Sequence, residues 1–544
     1  MAPSTQVLPP GVGADEHSRF CDELAKLVGA ENVSRDASTG ALEGPHKQRT
    51  YGDPYPFTSA DPHGASGAVR PESVEQVQAI LRLANQFKIP MWTTSRGKNL
   101  GYGGAAPVLE GSMVLDLHRM TRIIEISEAD GYAVVEPGVS FFDLYEEIKR
   151  RGLALWPSVP AIGWGSVVGN TLDRGFGYTP NGEHTQSQCG MEVVLPSGEL
   201  MRTGMGAMEG SALSPLYKPP SVDGLFFQSN LGVVTKLGLH LTPAPESYVA
   251  CALSVPNEED LEHMVTLLAD LMRRGVIANN PTVSNLFRQA VMTTDPEVMA
   301  SLGPHLGPNK QIPEPLLYEL KAKYGWGFWK AEFGLYGCAE VVPALERALR
   351  RNVEKINGAQ LVTKTWGGVP GKYLKSEDVE EVIPHTGIPT LSPLALMEYR
   401  MRPGTGHTCF SPLIPTSGPA MYQWYLAAKK MTAEAKFDSF ADFHIWPRYS
   451  IAINLFVFAP EEKEKASQLY LDLLKDGTER GLSEYRTHVS FMDLVKTHYN
   501  FNDGALGKFT DTLKDSLDPN NILSPGKSGI WGTKSTYGRA PSHL

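Results

Sequence analysis

The sequence predicts an α+β protein of two domains, and three observations carry that expectation. Strand-like and helix-like runs alternate from Ala68 to Leu241, separated by glycine-dense loops. Thr242-Pro243-Ala244-Pro245 then interrupts the alternation, as clustered prolines do. Beyond it the amphipathic helices lengthen, and 544 residues exceed what one hydrophobic core usually holds. The expected division is 1–245, 246–480, and a segment 481–544 that returns to the first domain.

In chain order, Glu16 to Leu27 reads as a helix with Phe20, Leu24 and Leu27 on one face. A strand from Ala68 precedes a helix, Glu75 to Phe87. The runs from Ile89 to Thr94 and from Met113 to Leu117 are strands on either side of a glycine loop. Tyr132 to Val139 is a strand meeting a turn, and Phe141 to Arg150 is a helix. Met191 to Leu195 and the run before Arg202 are strands joined by a Pro196-Ser197-Gly198 turn. Phe227 to Leu237 is a loop feeding a strand. In the second domain Glu258–Arg274, Pro313–Tyr324, Val341–Ile356 and Pro419–Lys436 read as helices, with strands at Phe328–Tyr336 and Tyr449–Phe458. From Glu484 a final helical region ends before Asp518-Pro519.

Composition narrows the function. Hydrophobic content of 42% and charged content of 20% describe a globular chain. A net charge of −10 leaves no basic footprint for nucleic acid or an anionic membrane. There is no long apolar run for a membrane span, and the N-terminus lacks the pattern of a signal peptide. Five scattered cysteines argue against a disulfide framework or a metal site and for a reducing, intracellular compartment. The terminal Ser542-His543-Leu544 is a variant of the peroxisomal address, so peroxisome or cytoplasm is expected.

The chemistry is concentrated in two loops. Arg96-Gly97-Lys98-Asn99-Leu100-Gly101-Tyr102-Gly103-Gly104 follows a strand, and its exposed amides and two cations form a nest for a phosphate-bearing ligand. Taken alone it is equally compatible with a plain connecting turn. The second loop runs from Gly163-Trp164-Gly165-Ser166 through Gly169-Asn170 and Arg174-Gly175-Phe176-Gly177-Tyr178-Thr179-Pro180.

With these segments the chain resembles the vanillyl-alcohol oxidase family of flavoproteins, which oxidise para-substituted phenols. Glu484-Tyr485-Arg486-Thr487-His488 and Asp518-Pro519-Asn520-Asn521-Ile522-Leu523-Ser524-Pro525-Gly526-Lys527 extend the likeness from about Val33 to Trp531. The resemblance implies an FAD-binding domain made from both chain ends, with an α+β substrate cap between them. It assigns FAD binding to Arg96, Gly97, Lys98, Asn99, Gly101, Gly103, Gly163, Gly165, Ser166, Gly169, Asn170, Gly175, Val234 and Lys527. It further implies that His407, in Gly404-Thr405-Gly406-His407, bonds covalently to the flavin 8α-methyl.

The same resemblance places Tyr102, Tyr485 and Arg486 around a phenolic oxygen, where their donors favour the anion. Tyr178 is expected in the pocket near the flavin. Hydride would pass from the benzylic carbon to flavin N5, leaving a p-quinone methide, with O₂ reduced to H₂O₂ and no metal required. A dehydrogenase of the same phenols, or an FAD-linked oxidase of a sugar, lactone or hydroxy acid, are the alternatives. A homodimer or higher homo-oligomer is expected.

Two departures from the family pattern stand out. An aspartate beside the flavin is replaced by Ala161, with Ser158 and Asp173 as the nearest polar candidates for its work. An N-terminal histidine pair that assists flavin attachment is replaced by the stretch Asp53-Pro54-Tyr55-Pro56-Phe57.

Overall fold

The computed structural model describes residues 7–36, 51–55, 63–211, 220–381, 383–397, 399–400, 405–535 and 537. Ser542-His543-Leu544 lies outside the described residues.

Two larger sheets, and a two-stranded pair of Leu155–Trp156 with Thr242–Pro243, form the first part of the chain. In one, Gly67–Val69, Met113–Asp116 and Met91–Thr94 run parallel, with Val33–Ser34 antiparallel at the edge. The helix Val74–Phe87 makes the parallel connection. Ser73 caps it by accepting from the Gln76 amide, and Val77, Ile80, Leu81 and Ala84 form its buried face. In the other, five antiparallel strands are ordered Ile123–Ser127, Tyr132–Val135, Val233–His240, Gln188–Val194 and Leu200–Arg202. The helix Phe141–Arg151 begins at a Ser140–Asp143 capping box, and its three basic residues suit the negative end of its dipole.

The middle of the chain builds an eight-stranded sheet. Its main path is Gln360–Gly367, Ser247–Val255, Trp329–Gly337, Thr282–Asn285, Asp442–Ile445, Tyr449–Phe458 and Gly406–Phe410, with Leu413–Pro415 also paired to Tyr449–Phe458. The helices Leu261–Arg273, Val342–Val353, Gly418–Glu434 and Lys463–Glu479 accompany it. Trp329, Trp424, Phe333 and Phe410 are buried in its core, each contributing roughly 1.5–3 kcal/mol by leaving water.

The C-terminal segment joins the first sheet. The Met91 amide donates to the Ile522 carbonyl at 2.6 Å, and the Ser524 amide donates to the Met91 carbonyl at 2.7 Å. Asn230 fastens this return by donating to the Ser524 and Ile530 carbonyls. The final helical region is broken: after Met492–Thr497, the span Phe501–Leu517 opens with Asn502, Asp503 and Gly504 all at positive φ.

Most expected elements appear within a few residues of their anticipated limits. The reading passes over Ser247–Val255, Gln360–Gly367 and Lys463–Glu479. Lys463–Glu479 opens on Lys463-Glu464-Lys465, which hides the buried stripe Ala466, Leu469, Tyr470 and Leu473 behind a charged turn. Among the described residues, no helix is long and apolar enough to cross a membrane.

Candidate active site

A narrow slot of about 180 Å³ runs between the loop after Met91–Thr94, the Gly165–Asp173 segment, residues 228–234 and the C-terminal segment at Leu523–Lys527. Arg96, Gly97, Lys98, Asn99, Gly165, Ser166, Gly169, Asn170, Val234 and Lys527 all line it. Ser166 orders the second wall: its hydroxyl donates to the Pro137 carbonyl and accepts from the Gly169 amide, starting the helix Val167–Leu172.

Four expected glycines lie elsewhere. Gly101, Gly103 and Gly163 do not line the slot, and Gly175 faces the adjoining cavity. Each serves close packing. At Gly101, φ is 80°, and a Cβ would stand 2.9 Å from His407 Nε2. Only glycine admits both this backbone and the approach of the imidazole. At Gly103, Val489 Cγ2 fills the space of a side chain, and at Gly163 Pro389 does.

The slot opens into a cavity of about 680 Å³ bounded by the eight-stranded sheet. Lys98, Asn99, Tyr102, Gly165, Asn170 and Arg486 line both spaces and so mark their junction. There the structure brings Tyr102, Tyr485 and Arg486 together. The two tyrosine rings meet edge-on with centres 6.3 Å apart, and the Arg486 guanidinium carbon lies 5.3 Å from each ring centre.

Arg486 is aimed by backbone and amide partners. Its Nε donates to the Asp173 carbonyl at 3.0 Å, and Nη1 donates to Asn99 Oδ1 at 3.2 Å. Its Nη2 is buried and reaches no hydrogen-bond partner. Burial opposes the charge of Arg486, but Tyr485, Asp173 and Tyr102 outweigh that and hold its pKa above the usual value. Burial, reinforced by Tyr485, pushes the Tyr102 phenol well above its ordinary range, so it stays a donor.

Lys98 is a second donor without a hydrogen-bond partner; its Nζ lies 3.9 Å over the Trp164 ring. Burial, with Arg96 adding to it, lowers its pKa to about 8. Two half-buried cations, each with a buried nitrogen that reaches no hydrogen-bond partner, suit a polyanionic cofactor and an anionic substrate. The residues present therefore fit FAD.

His407 sits on the Gly406–Phe410 strand, buried, lining the cavity with its ring 4.7 Å from that of Tyr55. The Tyr55 amide donates to Asp53 Oδ1, and Asp53 Oδ2 pairs with His488 Nε2 at 3.0 Å. The N-terminal stretch is thus tied to His488 of the C-terminal segment. Burial alone would raise the Asp53 pKa, but His488 and the Tyr55 amide hold it below the ordinary value. Tyr178 lines the cavity, its ring packed against Phe176, His385 and His444.

The polar stand-ins for the missing aspartate are placed differently from expectation. Ala161 does face the cavity. Ser158, however, is buried against His184 Nε2 at 3.0 Å and does not reach the cavity, because His184 bridges it to Asn170. Asp173 pairs with Lys527 at 3.0 Å on the slot side.

Three carboxylates line the cavity, Glu332, Glu381 and Asp442, and the one with an unpartnered buried oxygen is Asp442, on the Asp442–Ile445 strand. Its Oδ2 lies 3.5 Å from Arg288 Nε, its Oδ1 reaches no partner, and burial raises its pKa to about 6. His444, Arg288, Glu332 and His385 complete this wall. Burial lowers the pKa of His444 to about 3 and of His385 to about 4, so both are neutral. One signal for this wall was available in the sequence. Asp442-Phe443-His444 alternates polar and apolar, which puts both polar groups on one strand face.

The chain matches known flavoproteins in sequence and in fold. Residues 65–204 match the FAD binding domain family. The 4-cresol dehydrogenase [hydroxylating] flavoprotein subunit of Pseudomonas putida is 32% identical over 96% of this chain and 98% of its own. The chain belongs to the vanillyl-alcohol oxidase/p-cresol methylhydroxylase family. It is an FAD-dependent oxidoreductase. Among solved members of this family, 4-ethylphenol oxidase from Gulosibacter chungangensis superposes with a TM-score of 0.87 at 32% identity, covering 97% of this chain and 99% of that one. The p-cresol methylhydroxylase structure superposes with a TM-score of 0.83 at 30% identity, covering 96% and 99%.

Proposed function

We propose that the enzyme oxidises para-substituted phenols at the benzylic carbon. The observation that carries this reading is the convergence of Tyr102, Tyr485 and the unpartnered Arg486 Nη2 where slot and cavity meet. A phenolate oxygen there receives donors on one side while the ring extends into the cavity. Charge-assisted bonds from Arg486 and two hydroxyls favour the anion over the neutral phenol.

Arg96, Lys98, Ser166, Asn170 and Lys527 would hold FAD, which supplies the hydride acceptor. His407 is the residue assigned to its covalent attachment, with Tyr55 packed on the imidazole to fix its plane. The phenolate oxygen releases electron density through the ring as hydride departs from the benzylic carbon, leaving a p-quinone methide. Asp442, ionised above about pH 6, then accepts a proton. The proton comes from water adding to that carbon, which gives an alcohol, or from the adjacent side-chain carbon, which gives an alkene. Phe176 and Tyr178 line the cavity beside this site, the Phe176 ring 6.2 Å from that of Tyr485.

Oxygen is the proposed electron acceptor, with hydrogen peroxide as the second product. Rapid mixing of the protein with 4-ethylphenol without air should bleach the flavin, and air should restore its colour with release of peroxide. Bleaching that persists in air but reverses with an artificial electron acceptor would assign a dehydrogenase.

A further inference from the structure

The cavity continues well past the proposed phenol site. Directly opposed residues of antiparallel strands share a face. Cys409 opposes Leu455 and Asp442 opposes Ile453, two residues from Leu455, which puts the flavin end and the Asp442 wall on one face. The same face passes from His444 to Thr282, from Thr282 to Glu332, from Glu332 to Ala252, and from Ala252 to Val362. All of these residues line the single cavity. Its floor therefore crosses every strand from Gly406–Phe410 to the edge strand Gln360–Gly367. At about 4.8 Å per step, the six steps span about 29 Å.

A one-ring phenol with a two-carbon side chain fills only the inner end of this floor. A volume of about 680 Å³ is in the range that encloses ligands of drug size. The outer half is made low by Ala250 and Ala252. Between the two halves the charges compensate: Arg288 lies near Asp442 and Glu332, Lys330 pairs with Glu332, and His385 and His444 are neutral. At the far end Lys364 and Glu381 pair at 3.4 Å with half of the lysine side chain exposed, and Val362 beside them is exposed. That end is the mouth.

We propose that this floor is a tail channel, and that the enzyme's substrates are phenols carrying a long, mainly apolar para substituent. The tail runs from the Asp442 wall over Ala252 and Ala250 toward Lys364. This deepens the phenol reading and rests on it for the position of the ring.

The test measures the holoenzyme with 4-ethyl-, 4-butyl- and 4-octylphenol, by turnover and by the flavin difference spectrum on binding under non-turnover conditions. Each buried methylene should tighten binding about threefold to fourfold, so affinity should climb through the series. Ala252→Leu should narrow the channel at the second strand from the edge. It should lower kcat/KM for 4-octylphenol at least tenfold while 4-ethylphenol is oxidised as before, and Ala252→Gly should retain the climb. Affinity that levels off or falls beyond ethyl in the parent enzyme would overturn the proposal. So would an octyl preference that Ala252→Leu leaves intact. If no phenol is turned over but the affinity series and its loss in Ala252→Leu persist, the channel stands and the reaction assignment falls.

Discussion

Tyr102 and Tyr485 meet edge-on, 6.3 Å between ring centres, although one lies within the first glycine loop and the other more than 380 residues further along the chain. Two hydrogen bonds hold them in that relation. The Val489 amide donates to the Tyr102 carbonyl, and Gln228 Nε2 donates to the Tyr485 carbonyl at 2.7 Å. Arg486 is thereby fixed over both rings with one nitrogen left for a ligand.

Replacing Arg486 with Leu removes the charge-assisted donor and leaves a buried phenolate without its cation. The barrier should rise by roughly 2–4 kcal/mol, about thirtyfold to a thousandfold in rate. Tyr102→Phe and Tyr485→Phe should each cost less, because the guanidinium and one hydroxyl remain. Single-turnover flavin reduction by 4-ethylphenol measures all three, and near-normal reduction by Arg486→Leu would remove that residue from the mechanism.

If His407 carries the flavin, acid precipitation of the protein will bring down FAD fluorescence with the polypeptide, and His407→Ala will release it. Tyr55→Leu removes the ring packed on the imidazole at 4.7 Å and should lower the covalent fraction without abolishing it. Free FAD from the unaltered protein would dismiss the covalent bond while leaving the fold untouched.

Asp442 gives the reaction an acid limb. Its pKa is raised to about 6, so the carboxylate is the dominant form above that pH and is lost as pH falls through it. Product formation from the quinone methide should slow below about pH 6, and Asp442→Asn should erase this limb. Ala161→Asp adds a further carboxyl to the cavity lining and should raise the share of alcohol over alkenylphenol from 4-ethylphenol. A product ratio untouched by both substitutions would mean that neither position handles the proton.

Much of this arrangement was legible in the sequence, for identifiable reasons. The helices Val74–Phe87 and Phe141–Arg151 announce themselves through caps and a single apolar face. Tyr102, Tyr485 and Arg486 sit in dense local motifs, so a resemblance could bring them together across the chain. The Asp442 wall was hidden because its members, Arg288, Glu332, His385, Asp442 and His444, come from a helix, a turn and separate strands that only the folded chain brings to one cavity. Gly101, Gly103 and Gly163 also have a packing role, against His407, Val489 and Pro389, which glycine spacing alone does not reveal.

Glu484 ties stability to pH. Burial raises its pKa to about 8, outweighing the hydroxyl of Tyr470, which donates to both of its oxygens at 2.6 Å. The folded protein thus holds the proton over a range in which the unfolded chain has released it. Folding stability from this group is full below about pH 4.5 and is lost as pH rises through about 8. Glu484→Gln should flatten that dependence, raising Tm relative to the parent above pH 8 more than near pH 5. A parallel pair of Tm profiles would contradict the assignment.

The anionic phenol is the centre of the reading, and one comparison addresses it directly. Rates of anaerobic flavin bleaching should be recorded with 4-ethylphenol and with its methyl ether, 4-ethylanisole, which has the same benzylic carbon but no ionisable oxygen. The expected result is rapid bleaching by the phenol and none by the ether. Bleaching by both at similar rates, or by neither, would contradict benzylic oxidation driven by a phenolate held at Tyr102, Tyr485 and Arg486.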